Sequence, residues 1–191
     1  MNPLLEKRYS DLKAKVIKRK TEFNKLFDIL EKETDWLKSP ASTRFHLSEE
    51  EGLIEHSVNV AETLLKIKTV LCPNISDESC VIVALLHDVG KAGMPGNPQY
   101  LTNNPSETQN AHRHATDYPY RDNIGLTYLS IPIRSLYLCL PLLPLTEEEV
   151  QAIAYHDGQY VEDNRSCARK EAPLTLLLQY ADNWCGFVIE N

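Results

Sequence analysis

A histidine and an aspartate, His87 and Asp88, directly follow an uninterrupted apolar run at residues 80–86. Burying two such polar side chains without partners would cost several kcal/mol, so something must satisfy both of them. A divalent cation would do so, because imidazole and carboxylate groups are both suitable ligands. A hydrogen-bonded His–Asp pair that caps the helix explains these two residues equally well, and the pair alone leaves both interpretations open.

Two further residues favour the metal interpretation. His56 lies beside Leu53 and Val60 on a helical surface, at the rim of an apolar stripe, where an inward-facing ligand would lie. Asp182 follows Leu178 by one turn on a strongly apolar helix, and aspartates are rarely fully buried without a partner. The alternatives are a core histidine with ordinary hydrogen bonds for His56 and a surface aspartate for Asp182.

The elements that must position these residues are predicted to be helices. Apolar residues recur at helical spacing over residues 4–37, which predicts one long N-terminal helix, within residues 1–38, that packs on a core at 48–189. Ser48 and Glu51 have the spacing of a capping box, which predicts a helix from there to Leu71. A short, fully buried helix is expected to start after Ser76 and to end at Gly90, acting as the C′ residue.

The second half of the sequence continues this pattern. Short helices are predicted at residues 124–130 and 132–140, another from a capping box at Thr146 to His156, and a last one from Pro173 to about Val188. Residues 93–123 form a long Pro-, Asn- and Tyr-rich loop, and such loops are often functional lids. Because sustained period-two alternation is lacking, the fold class is predicted to be all-α, a single-domain compact helical bundle spanning residues 1–191.

Composition limits the possible partners. The chain has 191 residues, 42% of them hydrophobic and 25% charged, which is ordinary globular composition. Its net charge of -7 makes binding to extended duplex nucleic acid unfavourable, but a small phosphorylated ligand remains compatible with it. The five cysteines show no CxxC pair and are expected to be reduced. No signal peptide or membrane span is recognisable, so we expect a cytoplasmic protein.

The ordered set of residues resembles the HD superfamily of metal-dependent phosphohydrolases. The matching segments are Glu55-His56-Ser57, then His87-Asp88-Val89-Gly90-Lys91, and finally Ala181-Asp182. The resemblance implies an all-helical domain of the HD type and a divalent metal ion held by His56, His87, Asp88 and Asp182. Mn²⁺ is favoured among Mn²⁺, Fe²⁺, Ni²⁺ and Zn²⁺.

A narrower resemblance links residues 145–158 to a bacterial and phage branch of these hydrolases. His156 keeps the position of a branch histidine and is expected to face the site, although a histidine at a helix C-terminus is also favoured by the helix dipole. Many branch members have another histidine just before the segment that matches Arg134-Ser135, and this sequence has Leu129-Ser130-Ile131-Pro132-Ile133 there. A full second metal site is therefore in doubt. His112 or His114 could replace the missing histidine as a ligand, but they are weak candidates.

The resemblance also implies roles for further residues. Asp88, Lys91 and His156 are the expected catalytic residues, and Lys91, Arg44 and Tyr160 are expected to bind the substrate. The charge that develops on phosphorus needs cationic donors. Lys91 is the first candidate donor, and the others are Arg113, Arg121, Arg134, Arg165 and Lys170.

The resulting hypothesis is a phosphomonoesterase or phosphodiesterase that acts on a nucleotide or short oligonucleotide. The alternative from another class is a non-catalytic HD module that binds a nucleotide or a protein. A di-iron oxygenase on a related scaffold ranks third, because it needs more histidines than can be placed. The predicted N-terminal helix also makes a homodimer conceivable.

Overall fold

The structure, a computed structural model, describes residues 1–103 and 118–190. Helices dominate it, and a two-stranded ribbon is the one sheet in the described part of the chain. The prediction of a compact, mostly helical fold is confirmed. Seven α-helices are present in these residues: α1 (Pro3–Lys13), α2 (Lys20–Glu33), α3 (Gly52–Leu71), α4 (Asp77–Leu86), α5 (Ile131–Cys139), α6 (Glu147–Ala154) and α7 (Pro173–Trp184).

Helix α4, whose first turn is partly exposed, has its apolar body at the centre of the molecule. Ser76 caps its N-terminus by accepting a hydrogen bond from the amide of Ser79 at 3.0 Å. Every residue from Cys80 to Leu86 is fully buried, as the apolar run predicts. Helices α3, α6 and α7 pack around α4, so the C-terminal end of α4, where His87 and Asp88 follow, points into the middle of the helix cluster.

The prediction of one long N-terminal helix is wrong. Two helices, α1 and α2, are separated by a turn, and the apolar spacing continues across the break because both helices pack on the same core. The turn is held by Glu78 at the start of α4. Its carboxylate accepts hydrogen bonds from the amides of Ile17 and Lys18, at 2.8 and 2.7 Å, and from Arg19 Nε at 2.9 Å.

The capping box predicted at Ser48 is also wrong, whereas the one at Thr146 is confirmed. Helix α3 begins at Gly52, after Glu51, which adopts a left-handed conformation with φ of 69° and makes no side-chain cap. The hydroxyl of Ser48 has no hydrogen-bond partner among the described residues. The spacing of Ser48 and Glu51 could not reveal that the capping box is absent, because the Glu51 carboxylate is paired with the N-terminal amine of Met1, which is distant in the sequence.

Gly90 does not end α4 as a C′ residue. The helix ends at Leu86, and Gly90 lies inside a 3-10 helix at Val89–Ala92 that follows the His–Asp pair. Its lack of a side chain serves close packing against α5. A Cβ atom on Gly90 would lie 2.5 Å from the carbonyl oxygen of Ile131 and 3.1 Å from the amide nitrogen of Ser135.

Replacing Gly90 with alanine is therefore expected to push α5 away from the His–Asp pair and to lower the free energy of unfolding by about 1–3 kcal/mol. It also disturbs Ser135 Oγ, which accepts from the amide of Gly90 at 2.9 Å and donates to the carbonyl of His87 at 2.8 Å. Urea unfolding measures the loss. Gly125→Ala, in an exposed turn, is the control and should stay within about 0.5 kcal/mol of the wild type.

The long segment predicted as a loop contains short β structure. Strands β1 (Tyr100–Thr102) and β2 (Tyr120–Asp122) pair antiparallel, with Leu101 opposite Arg121. The helix predicted at 124–130 is absent, since these residues form turns that lead into α5, while the helix predicted at 132–140 is present as α5. The C-terminal helix prediction also holds, because α7 continues as a π-helical turn at Cys185–Ile189.

None of the helices in the described ranges is both long enough and apolar enough to cross a membrane.

Candidate metal centre

The four residues predicted as metal ligands are brought together from three helices. His56 lies on α3, His87 and Asp88 follow α4, and Asp182 lies on α7. His56 Nε2 is 3.1 Å from Asp182 Oδ1 and 3.9 Å from Asp88 Oδ2. His87 Nε2 is 3.9 Å from Asp182 Oδ1 and 3.6 Å from Asp88 Oδ2. The four side chains therefore converge, although they are separated by up to 126 positions (182 minus 56) in the sequence.

His156, just after α6, joins this cluster. Its Nε2 is 3.4 Å from Asp88 Oδ1, and its ring centre is 4.8 Å from that of His87. Three groups of side chains could each hold a metal ion, and one of them, formed by His46, His56 and Glu190, lies beside the cluster. The other two are overlapping triads within it: His56, His87 and Asp182 form one, and His87, Asp88 and His156 form the other. Four of these five side chains are almost completely buried, and Asp182 is 21% exposed.

The three histidines share one orientation, in which Nδ1 is held by a fixed acceptor and Nε2 faces the cluster. Nδ1 of His56 lies 2.9 Å from Glu190 Oε2. Nδ1 of His87 lies 2.7 Å from the carbonyl of Ala84, and Nδ1 of His156 lies 2.9 Å from the carbonyl of Ile153. Because carboxylates and carbonyls accept hydrogen bonds, each Nδ1 must donate, which leaves each Nε2 for a different partner.

His87 provides the test of whether these residues fit a metal ion. Its Nε2 is fully buried and has no hydrogen-bond partner in the described part of the chain. Burial lowers the pKa of His87 to about 4, so the ring is neutral at pH 7 and its Nε2 lone pair faces the carboxylates of Asp88 and Asp182. An orphaned buried acceptor beside two carboxylates is costly on its own and is what a cation would satisfy. The residues fit a divalent metal ion.

The two aspartates of the cluster are held in their ionised form. Burial alone would raise the pKa of Asp88, but Lys91 together with the neighbouring His87 and His156 outweighs burial and holds the pKa well below its ordinary value. Lys91 Nζ is 2.5 Å from Asp88 Oδ2. For Asp182 the hydrogen bond from His56 and the charges of the neighbouring histidines together outweigh burial and lower the pKa. Anionic oxygens are therefore present at the cluster at neutral pH, as cation binding requires.

Sequence reasoning missed two residues at this site, Glu190 and His46. The Glu190 carboxylate contacts His56 Nδ1 and also accepts from Asn59 Nδ2 at 2.8 Å. His46 lies with its ring centre 5.0 Å from that of His56, and its Nε2 is 3.8 Å from Glu190 Oε2. Burial alone would lower the pKa of His56, but the carboxylates of Asp182 and Glu190 raise it to about 9. Glu190 therefore anchors His56 from the side opposite the cluster.

A pocket of about 630 Å³ adjoins the cluster. Asp88, Lys91 and Asp157 line it together with Arg134 on α5 and Tyr100 on β1. This volume lies in the range of small-molecule sites. A smaller pocket of about 220 Å³ reaches the other side of the cluster and is lined by Asp182, His46 and Tyr160.

The residues predicted to bind substrate differ in their placement. Lys91 lines the larger pocket, but its ammonium is engaged by Asp88. Tyr160 borders the smaller pocket and is 92% exposed. The Arg44 guanidinium is exposed and stacks on the rings of Phe45 and Tyr118, 4.7 and 5.5 Å away.

The other residues predicted as cationic donors differ in how far their side chains are buried. Arg121, Arg165 and Lys170 are exposed, whereas Arg134 is buried beside the larger pocket. His112, His114 and Arg113 lie outside the described residues. The idea that either histidine completes a second metal site therefore stays a prediction.

Comparison with known proteins gives one match. The family model of the HD domain matches residues 53–185, which include the ligand candidates His56, His87, Asp88 and Asp182. No curated protein and no solved structure matches the chain significantly.

Proposed function

Because the chain belongs to the HD domain family, we propose that it is a phosphohydrolase that cleaves the phosphate ester of a nucleotide or short oligonucleotide. The observation that carries the proposal is the buried cluster of histidine Nε2 atoms and ionised carboxylates beside a pocket of about 630 Å³. The HD domain family consists mostly of metal-dependent hydrolases, which supports an enzyme over a binding module. Membership of the family does not determine which phosphate ester is the substrate. We infer the class of substrate from the pocket.

We assign the metal to His56, His87, Asp88 and Asp182, with Mn²⁺ favoured because the set mixes nitrogen and oxygen ligands. A divalent ion held by these residues would supply Lewis acidity, which would make a water molecule more acidic and polarise a phosphoryl oxygen. Glu190 and the Ala84 carbonyl hold the imidazoles of His56 and His87 so that both Nε2 atoms face the same point. These anchors preorganise the ligand set.

The chain's own groups position the reactants. Lys91 keeps Asp88 ionised, so the carboxylate is an acceptor that can orient a water molecule toward phosphorus. His156 Nε2 lies on the other side of Asp88 and is the second group within reach of such a water. Lys91 acts here mainly through Asp88, because its ammonium is engaged by that carboxylate.

The pocket suits a nucleotide better than an extended polymer. Tyr100 and Tyr128 line it, and aromatic side chains can stack on a base. A net charge of -7 opposes the binding of long nucleic acids, whose affinity depends on many phosphate contacts with cations. A short substrate with one or two phosphates requires only a local positive site.

The purified protein is expected to hydrolyse phosphate esters when it is loaded with Mn²⁺ and to lose this activity after EDTA treatment. A panel of nucleoside monophosphates, linear and cyclic dinucleotides and short oligonucleotides, assayed for phosphate and nucleoside release, separates phosphomonoesterase from phosphodiesterase activity. Re-addition of Mn²⁺ to the EDTA-treated protein is the control and should restore the rate. A protein that binds no Mn²⁺, Fe²⁺ or Ni²⁺ and hydrolyses no member of the panel would contradict the proposal and favour a binding module.

A further inference from the structure

Arg134 on α5 is a buried cation with few partners. Arg134 is 2% exposed, and one of the two terminal nitrogens of its guanidinium donates a hydrogen bond to the carbonyl of Thr127 at 3.1 Å. Its Nε atom is buried and has no hydrogen-bond partner in the described ranges. No carboxylate lies within 4.0 Å of the guanidinium among residues 1–103 and 118–190.

Three other cations, one of them buried and two partly buried, are paired with acids. Lys91 contacts Asp88 at 2.5 Å, Lys68 contacts Asp77 at 2.7 Å, and Arg19 contacts Glu149 at 2.6 Å. Arg134 differs from all three because it has no acidic partner among the described residues. Burial lowers its pKa, and no neighbouring charge opposes this effect.

An unpaired buried guanidinium is costly for folding. Taking a charge out of water carries a penalty of several kcal/mol per ion in real proteins, and a well-packed apolar side chain of similar volume is often more stabilising. One hydrogen bond to a carbonyl uses one of five N–H donors. The arrangement is therefore explained poorly by a structural role alone.

The position of Arg134 indicates what its partner is. It lines the same pocket as Asp88 and Lys91, so its counter-ion would lie next to the metal cluster. Asp88 is already paired with Lys91, so an anion that enters the pocket meets Arg134 as a cation that has no acidic partner among residues 1–103 and 118–190. The planar fork of arginine donors matches phosphate oxygens, which can accept two parallel hydrogen bonds.

We propose that Arg134 is the phosphate-binding residue of this pocket and positions the phosphate of the substrate beside the His–Asp cluster. The identity of the ligand as a phosphate ester rests on the proposed function. Gly90 contributes to this site, because its missing Cβ lets the Cβ of Arg134 approach the segment that carries Asp88.

Binding of inorganic phosphate to the EDTA-treated protein tests the proposal without turnover or metal. Arg134→Met keeps the length of the side chain and removes its charge. It is expected to weaken phosphate binding about 10- to 100-fold in titration calorimetry, as removal of charge-assisted hydrogen bonds does. Arg134→Lys should retain part of the affinity. The control is Arg169→Met, which removes an exposed arginine with no assigned role and should leave the affinity unchanged.

A stability measurement separates this role from a structural one. Because an unpaired charge is removed, Arg134→Met is expected to unfold at the same or a higher temperature than the wild type. Added phosphate should raise the melting temperature of the wild type and not that of Arg134→Met. Equal phosphate affinity in the wild type and both Arg134 variants would overturn the proposal.

Failure of this proposal is distinguishable from failure of the proposed function. If the Mn²⁺-loaded wild type hydrolyses a nucleotide while Arg134→Met keeps its KM and its phosphate affinity, the Arg134 assignment fails and the hydrolase remains. If phosphate binding depends on Arg134 but no ester is hydrolysed, the anion site stands and the hydrolase fails.

Discussion

Replacement of His87 with alanine is expected to lower kcat/KM of the Mn²⁺-loaded protein by about 1,000-fold or more, which corresponds to about 4 kcal/mol of transition-state stabilisation. The reason is that His87 belongs to both triads formed by the five clustered residues, and its Nε2 has no hydrogen-bond partner in the described structure. Loss of this one ligand therefore affects both of these triads. Metal content measured by atomic emission spectroscopy should fall together with the activity.

Asp182→Asn is the companion variant, because it preserves shape while removing one negative charge from the triad with His56 and His87. We expect a smaller loss of metal affinity, about 10- to 100-fold. Asp163→Asn, at an exposed aspartate, is the matched control and should leave affinity and rate unchanged. Circular dichroism verifies that each variant is folded. A folded His87→Ala protein that retains wild-type metal content and rate would refute the assignment of the cluster.

The central part of this site could be predicted because the sequence contrasts there sharply with its surroundings. His87 and Asp88 end an apolar run, and the run proves to be a helix buried on all sides. Asp182 and His56 have the same property in weaker form, since each is a polar residue near an apolar helical stripe. A polar residue that must be buried needs a partner, and this requirement follows from the order of polar and apolar residues alone.

Glu190 could not be predicted in the same way. Its partner His56 is 134 positions away, and nothing local indicates which histidine it would meet. A signal existed, because Glu190 follows Phe187, Val188 and Ile189 much as His87 follows an apolar run. These three apolar residues are exposed in the structure, so their pattern would have predicted wrongly that the segment before Glu190 is buried. The result depends on the path of the π-helical turn after α7.

The break between α1 and α2 was missed for a related reason. Periodicity reports which face of a helix is buried, and that face stays in phase across the turn at residues 14–19. The break is caused by long-range charge pairing, in which Arg19 and two backbone amides meet Glu78. Sequence patterns within a window do not contain such a pairing.

Replacement of Arg19 with methionine is expected to lower the free energy of unfolding by about 3–5 kcal/mol at pH 7, because it breaks a buried ion pair on one side. Arg19 donates to both oxygens of Glu149, at 2.6 and 2.7 Å, and to Glu78 at 2.9 Å. The Glu149 side chain is 0% exposed and also forms the capping box of α6. Without Arg19, an ionised carboxylate would be left in the interior, and the α1–α2 turn, α4 and α6 would lose their common link.

The pH dependence of this loss identifies its cause. Burial alone would raise the pKa of Glu149, but the hydrogen bond from Arg19, the charge of Arg19 and further hydrogen bonds together outweigh burial. They hold the pKa of Glu149 below its ordinary value, and the same holds for Glu78. A lowered pKa in the folded state contributes stability above the unfolded pKa of about 4.3, and this contribution is lost as the pH falls through the folded pKa. The variant lacks this contribution, so its deficit should be largest at pH 7 and should narrow below about pH 4.

Urea unfolding of both proteins at pH 7 and pH 3 measures the difference between their free energies of unfolding. The contributions of the other acidic groups are the same in both proteins and cancel in this difference. Glu149→Gln in the Arg19→Met background should recover part of the loss at pH 7, because it removes the stranded charge. The matched control is Arg165→Met, which breaks an exposed pair with Glu162 and should change stability by less than about 1 kcal/mol. A deficit that is the same at both pH values would mean that Arg19 acts through packing of its side chain rather than through its charge, since packing does not titrate with the two carboxylates.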